Sequence, residues 1–201
     1  MIKPIIAIDI DDTIAESTET LRKLVNHRAG VDLPSEAYTV EGEYWGYYER
    51  VWAMNGLSGI SHADFEAEME VDQSHVPLLP SAEYAIKILS ETYRIVLVTA
   101  RDISLEGATR TWLKTHFPYA DIELYFSEAR KDQTKMTKGQ LCKQLGARLL
   151  IDDNIQHCES AVELGIDTVL FGDYGCNRTN TTLKRCYNWQ EVIEYLDGAK
   201  L

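Results

Sequence analysis

Basic charge is scarce in this 201-residue chain: 20 lysines and arginines stand against 32 aspartates and glutamates, a formal net charge of −12. A surface of that sign repels phosphate backbones and anionic lipid headgroups, which excludes a nucleic-acid polymer or a membrane as the expected partner. Cysteine is sparse too. Its four copies, Cys142, Cys158, Cys176 and Cys186, form no C-x-x-C pair, so neither a zinc site nor a dense disulfide framework is expected, and the chain suits a reducing cytoplasm. No apolar run approaches the roughly 20 residues of a membrane span, and the first one, MIKPIIAI, is cut short by Asp9. Internal repeats and low-complexity tracts are missing, and the one Asn/Thr-rich patch, NRTNTT from Asn177 to Thr182, reads as a polar surface loop. The histidines are scattered without metal-like spacing.

What is present is an ordinary globular balance, 45% hydrophobic and 26% charged, with length for one α/β domain and a modest insert. Short apolar runs recur, each ending in a turn or polar residue: IIAI before Asp9, IVLV before Thr99, IELYF before Ser127, LLI before Asp152 and TVLF before Gly172. These read as buried strands. Helical stretches lie between them, one after Ser81, one around Trp112 and Leu113, one stopping at Gly146 and one before Gly165. The alternation predicts an α/β fold with a doubly wound parallel sheet, because parallel strands need long crossover connections. Residues 15–80 break the rhythm, offering three helical stretches (Ser17 to Ala29, about Tyr44 to Met54, and one after Ser61) and no buried-strand run. They read as a small helical cap inserted after the first strand of a core formed by residues 1–14 and 81–201.

Ligand sites in such folds form at the carboxyl ends of strands, which directs attention to Asp9, Thr99 and Asp152. In IIAIDIDDT, an extended chain through Asp11 puts Asp9 and Asp11 on one side. Two carboxylates so close predict a bound cation, a raised pKa, or both. Asp152 and Asp153 offer further hard oxygen ligands to a single magnesium ion. Thr99 adds a hydroxyl, and Lys138 is the one charge of the set that favours a phosphate. Any of these residues alone reads as a helix cap, a strand end or a solvated lysine; their joint order, Asp-x-Asp, Thr, Lys, Asp-Asp, carries the weight.

DIDDT at Asp9 to Thr13, VTAR at Val98 to Arg101, Lys138 before a helix and IDDN at Ile151 to Asn154 resemble the four motifs of the haloacid dehalogenase superfamily. The compact Lys138 to Asp152 spacing, the IDD ending and a small helical cap after the first motif are most similar to its 5'-nucleotidase and 5'(3')-deoxyribonucleotidase type. The resemblance implies a magnesium-dependent phosphatase acting on a small-molecule phosphate monoester, a nucleoside or deoxynucleoside monophosphate, through an aspartyl-phosphate. It makes Asp9 the nucleophile and Asp11, kept protonated, the acid/base. Thr99, Ala100 and Lys138 would hold the phosphoryl oxygens, and Asp9, Asp11 through its backbone carbonyl, Asp152 and Asp153 the Mg2+. A sugar phosphate or other small metabolite is the alternative substrate. A receiver-like phospho-accepting module is the alternative of another class, although its lysine follows its last aspartate, the reverse of the order here.

Two readings stay open. Arg101 could meet a substrate phosphate or form a buried salt bridge with an acidic neighbour, and the second is favoured. The aromatics Tyr44, Trp45, Tyr47, Tyr48 and Trp52 exceed what one helix face in a thin insert can bury. They would pack, form a homodimer contact, or wall a base-binding pocket, with Tyr44, Trp45 and Tyr48 as the pocket candidates.

Overall fold

The computed structural model describes residues 3–127, 135–179 and 181–198. All five expected strands form: β1 (Ile5–Ile8), β2 (Arg94–Thr99), β3 (Glu123–Phe126), β4 (Ala147–Asp152) and β5 (Asp167–Phe171). A two-residue edge strand, β6 (Arg185–Cys186), joins them and is too short to show any period. The sheet is parallel with order β3-β2-β1-β4-β5-β6. This is the doubly wound order, and the crevice outside the carboxyl ends of β1 and β4 is its switch point.

Alternation along each strand divides the core between two faces. Ile6, Ile8, Leu97, Leu149 and Ile151 pack against α4 (Ala82–Thr92), α5 (Glu106–His116) and α8 (Trp189–Gly198). Ala7, Val96, Val98 and Leu150 pack against α6 (Lys138–Leu145) and α7 (Ile155–Glu163) on the other side. With helices over both faces, the strands are apolar on both, which is why they read as continuous runs. Among the described residues, no helix is long and apolar enough to cross a membrane.

Between β1 and α4 the chain forms α1 (Ser17–Ala29), α2 (Tyr47–Met54) and α3 (His62–Val71). These pack round an apolar cluster of their own, Leu21, Val25, Tyr38, Tyr47, Val51, Trp52 and Phe65. The outgoing and returning chains are tied together, Glu16 N–H to Pro77 O at 2.9 Å and Leu79 N–H to Ile14 O at 2.8 Å. The second helix begins later than its sequence pattern suggests. Gly46 takes a left-handed φ of 67°, so Tyr44 and Trp45 lie on a loop ahead of α2.

Lys138 owes its place to two local devices. Thr137 and Gln140 form a reciprocal capping box that starts α6 at Lys138. Gly139, next along, lets α6 press against α7, since a Cβ there would stand 2.8 Å from the Ser160 carbonyl oxygen. Gly139→Ala should therefore force the helices apart and destabilise the protein by about 1–3 kcal/mol. Thermal unfolding checks this, and an unchanged melting temperature would show that the helix pair yields freely.

Candidate active site

The sheet brings the distant carboxylates together. Asp9 leaves β1 with its N–H still bonded to Ile151 O at 2.9 Å, which sets it beside Asp152 at the end of β4. One oxygen each from Asp9, Asp152 and Asp153 lies within 4.8 Å of the others, all three residues being buried. Lys138, 2% exposed, reaches between two of them, 2.6 Å from Asp9 Oδ1 and 2.8 Å from Asp152 Oδ2. Asp152 Oδ1 also accepts the Asn154 N–H at 2.9 Å and lies 3.2 Å from His157 Nδ1.

Three carboxylates around one ammonium leave two negative charges uncompensated, and the protonation equilibria register it. Burial pushes Asp9 up to about 7 against the pull of Lys138, with Asp152 and Asp11 adding to the rise. Asp153 is raised well above the ordinary range by burial and by Asp9 and Asp152. Burial would raise Asp152 too, but Lys138 and His157 outweigh it and hold it at about 2. A deficit of two charges among hard oxygen donors fits one divalent cation, and the fit rests on Asp9, Asp152 and Asp153.

Asp11 departs from expectation. Its side chain lies outside the three-carboxylate cluster, turned to Arg101, whose Nε and Nη2 donate to Oδ2 and Oδ1 at 2.8 and 2.7 Å. Ser17 Oγ donates to Oδ1 at 2.6 Å. Burial would favour the neutral acid, but the Arg101 charge and hydrogen bonds win, and Asp11 sits at about 2. The expectation of a protonated Asp11 is corrected: in this arrangement it is ionised. The salt bridge favoured for Arg101 is present, with Arg101 buried and the Asp11 side chain 34% exposed. Asp12, with a left-handed φ of 53°, accepts the Thr18 N–H at 2.8 Å in the first turn of α1.

Thr99 is fully buried, and its hydroxyl oxygen accepts the Arg101 N–H at 3.1 Å. Ala100, Arg101, Asp9, Asp11, Lys138 and Asp153 line a cavity of about 370 Å³ whose other wall is the helical insert. Tyr44, Trp45, Tyr47 and Tyr48 also line it, whereas Trp52 is fully buried behind them with Nε1 donating to Tyr38 OH at 2.7 Å. Trp45 Nε1 donates to Gln156 Oε1 of α7 at 3.1 Å, so the 44–45 loop spans the cleft.

Three features escape a reading of the sequence. His157 belongs to the site because helix side chains lean toward the N-terminus, so a first-turn histidine meets the aspartate that ends the preceding strand. That placement was the available signal. Asn177, expected in a polar surface loop, is fully buried and donates through Nδ2 to Asp153 O at 2.9 Å and Phe171 O at 3.0 Å. The T-x-x-Q pattern of Thr137 and Gln140 announces the cap that presents Lys138.

The family model for 5' nucleotidase, deoxy (pyrimidine), cytosolic type C protein matches residues 3–201. A provisionally named 5'(3')-deoxyribonucleotidase of Staphylococcus aureus is 24% identical over 203 residues, covering 97% of this chain and 96% of that protein. Among solved structures, the provisionally named HAD-hydrolase YfnB from Bacillus subtilis, bound to magnesium, superposes with a TM-score of 0.62 at 13% identity, covering 98% and 100% of the two chains. The haloacid dehalogenase-like hydrolase SP0104 from Streptococcus pneumoniae gives 0.57 at 16% identity, covering 97% and 98%.

The raised carboxylates dictate a pH effect. A group whose folded pKa lies above its unfolded value stabilises the fold at low pH and loses that contribution as pH rises. For Asp9 the window runs from the ordinary 3.8 to about 7. The melting temperature of metal-free protein should therefore fall between pH 5 and pH 8, and saturating Mg2+ should remove most of the fall. A pH-independent melting temperature, or no response to Mg2+, would contradict the convergence of charge described above.

Proposed function

The chain belongs to the family of 5' nucleotidase, deoxy (pyrimidine), cytosolic type C proteins within the haloacid dehalogenase fold, and on that premise we propose that this nucleotidase-type phosphatase hydrolyses nucleoside or deoxynucleoside monophosphates in the cytoplasm through an aspartyl-phosphate formed on Asp9. One observation carries the reading. Asp9 follows the carboxyl end of β1 with its carboxylate against Lys138, at the floor of a cavity of about 370 Å³ with an aromatic wall opposite. That volume falls within the roughly 300–1,000 Å³ of small-molecule sites.

Asp9 attacks phosphorus as the ester P–O bond breaks, and one difficult hydrolysis becomes two easier transfers. Lys138, already charged and buried, meets the phosphoryl oxygens with Thr99 and Ala100. Asp9, Asp152 and Asp153, with the backbone carbonyl of Asp11, would hold a magnesium ion, which supplies charge neutralisation to the phosphoryl group. Asp11 serves as acid and then base. An entering phosphate dianion raises the proton affinity of that carboxylate, so it takes up the proton it gives to the leaving alkoxide and later accepts one from the hydrolytic water. Residues 15–80 act as a cap over the core of residues 1–14 and 81–201, with Tyr44, Trp45 and Tyr48 facing the base.

Asp9→Asn should abolish turnover by several orders of magnitude while the protein stays folded, because it removes the nucleophile. Phosphate release in a metal-replete preparation measures this, and more than about 1% residual activity would remove Asp9 from that role. Tyr44→Ala, Trp45→Ala and Tyr48→Ala should each be compared on a nucleotide and on an aryl phosphate. Loss of a stacking ring costs roughly 1–3 kcal/mol, so at least one variant should lose about tenfold on the nucleotide alone. A panel in which sugar phosphates outpace every nucleotide would retain the phosphatase and overturn the nucleotide assignment.

A further inference from the structure

Arg101 follows Thr99 and Ala100 at the end of β2, and four of its five N–H groups have protein partners. Nε and Nη2 take Asp11, while Nη1 donates to Gln73 Oε1 at 2.8 Å and to Thr109 Oγ at 2.9 Å. Its backbone N–H is held as well, on Thr99 Oγ. The partners are themselves fixed. Gln73, 3% exposed and just ahead of the returning linker of the insert, donates through Nε2 to Met69 O at 3.0 Å and to Thr109 Oγ at 3.2 Å. Thr109 is fully buried on α5. A planar guanidinium clamped at both ends dictates the plane of any carboxylate it grips through two parallel bonds.

The contacts on Asp11 are unequal. Oδ1 accepts from Ser17 Oγ and Arg101 Nη2, which occupies both of its lone pairs, whereas among the described residues Oδ2 accepts from Arg101 Nε alone. We propose that Arg101, held by Gln73 and Thr109, is the positioning residue of Asp11, and that it leaves Oδ2 as the oxygen through which the leaving-group proton passes. The inference rests on the acid role of Asp11 given above and adds that a side chain from the insert governs it. Arg101 is not a phosphate ligand in this arrangement, because a phosphate would have to take the guanidinium from Asp11 or from two buried partners. The transfer is balanced. Oδ2 takes one proton from solvent as the phosphate dianion enters, the ester oxygen takes that proton as the P–O bond breaks and the Asp9–P bond forms, and Asp11 returns to the ionised state in which Arg101 holds it.

A positioning role differs from a structural one in its dependence on the leaving group. An alkoxide needs the proton, whereas p-nitrophenolate leaves without it, and kcat/KM reports the steps up to departure. It should be measured for a nucleoside 5'-monophosphate and for p-nitrophenyl phosphate in wild type, Asp11→Asn, Arg101→Lys and Gln73→Met, with a melting temperature for each. General acids contribute about 10²–10⁴-fold. Asp11→Asn should lose that much on the nucleotide and far less on the aryl ester. Arg101→Lys should lose about 10–100-fold and Gln73→Met about 5-fold with the same bias, since each disturbs but does not delete the acid. If Asp11→Asn shows the bias and the other two lower both esters equally or neither, Arg101 is structural and the proposal fails alone. A rise in KM for both esters in Arg101→Lys makes it a phosphate ligand, which also overturns the proposal. If Asp11→Asn lowers both esters equally, the acid role fails and takes this inference with it. Should Arg101→Lys not fold, Gln73→Met, which leaves the guanidinium in place, decides the matter.

Discussion

Like-charge repulsion at the carboxyl ends of β1 and β4 is the constraint around which the molecule is arranged. Asp9, Asp152 and Asp153 are buried within reach of one another, and a buried carboxylate without compensation is unfavourable. Much nearby structure answers that repulsion. Lys138 is brought in by a capped helix pressed close against its neighbour, His157 and the Asn154 N–H attend to Asp152, and Asn177 ties down the backbone of Asp153. With all three ionised beside Lys138 the cluster would carry a formal charge of minus two, which suits it to the divalent cation of the proposed function. Stability given up in the free protein becomes affinity for what binds there.

The second carboxylate of the Asp-x-Asp pair is handled separately. Asp11 forms a one-to-one ion pair with Arg101, so it neither joins the cluster nor competes with Asp9 for Lys138. Environments that push two neighbouring carboxylates in opposite directions allow one short segment to carry two chemical roles. The division follows from geometry, since Asp9 still pairs with the sheet while the chain beyond it turns through the left-handed Asp12 toward α1.

The helical insert divides its aromatic residues in a similar way. Trp52 and Tyr47 are committed to the cluster that holds the three helices together, whereas Tyr44, Trp45 and Tyr48 are left partly open toward the cavity. Gly46 makes the division possible by ending the loop before α2 begins, which frees two rings from the helix face. The insert also meets the core on two sides of the cleft, through the Gln73 bond to Arg101 and through the Trp45 bond to α7.

The strands, the two-faced sheet and the helices between β1 and α4 could be read from the sequence because each is written in local periodicity and in the turn residues that bound it. The meeting of Asp9 and Asp152 was legible as well, because strand-end positions at the switch point of a doubly wound sheet converge whatever the details. Partnership was not legible. That Asp11 pairs with an arginine 90 residues away, that Lys138 is shared by two aspartates, that His157 and Asn177 belong to the site, and that Tyr44 and Trp45 leave their helix all depend on distances across elements. Periodicity fixes which face a residue occupies; only the packed sheet decides what stands opposite it, and that opposite charge or hydrogen bond determines whether a carboxylate is acid, base or ligand.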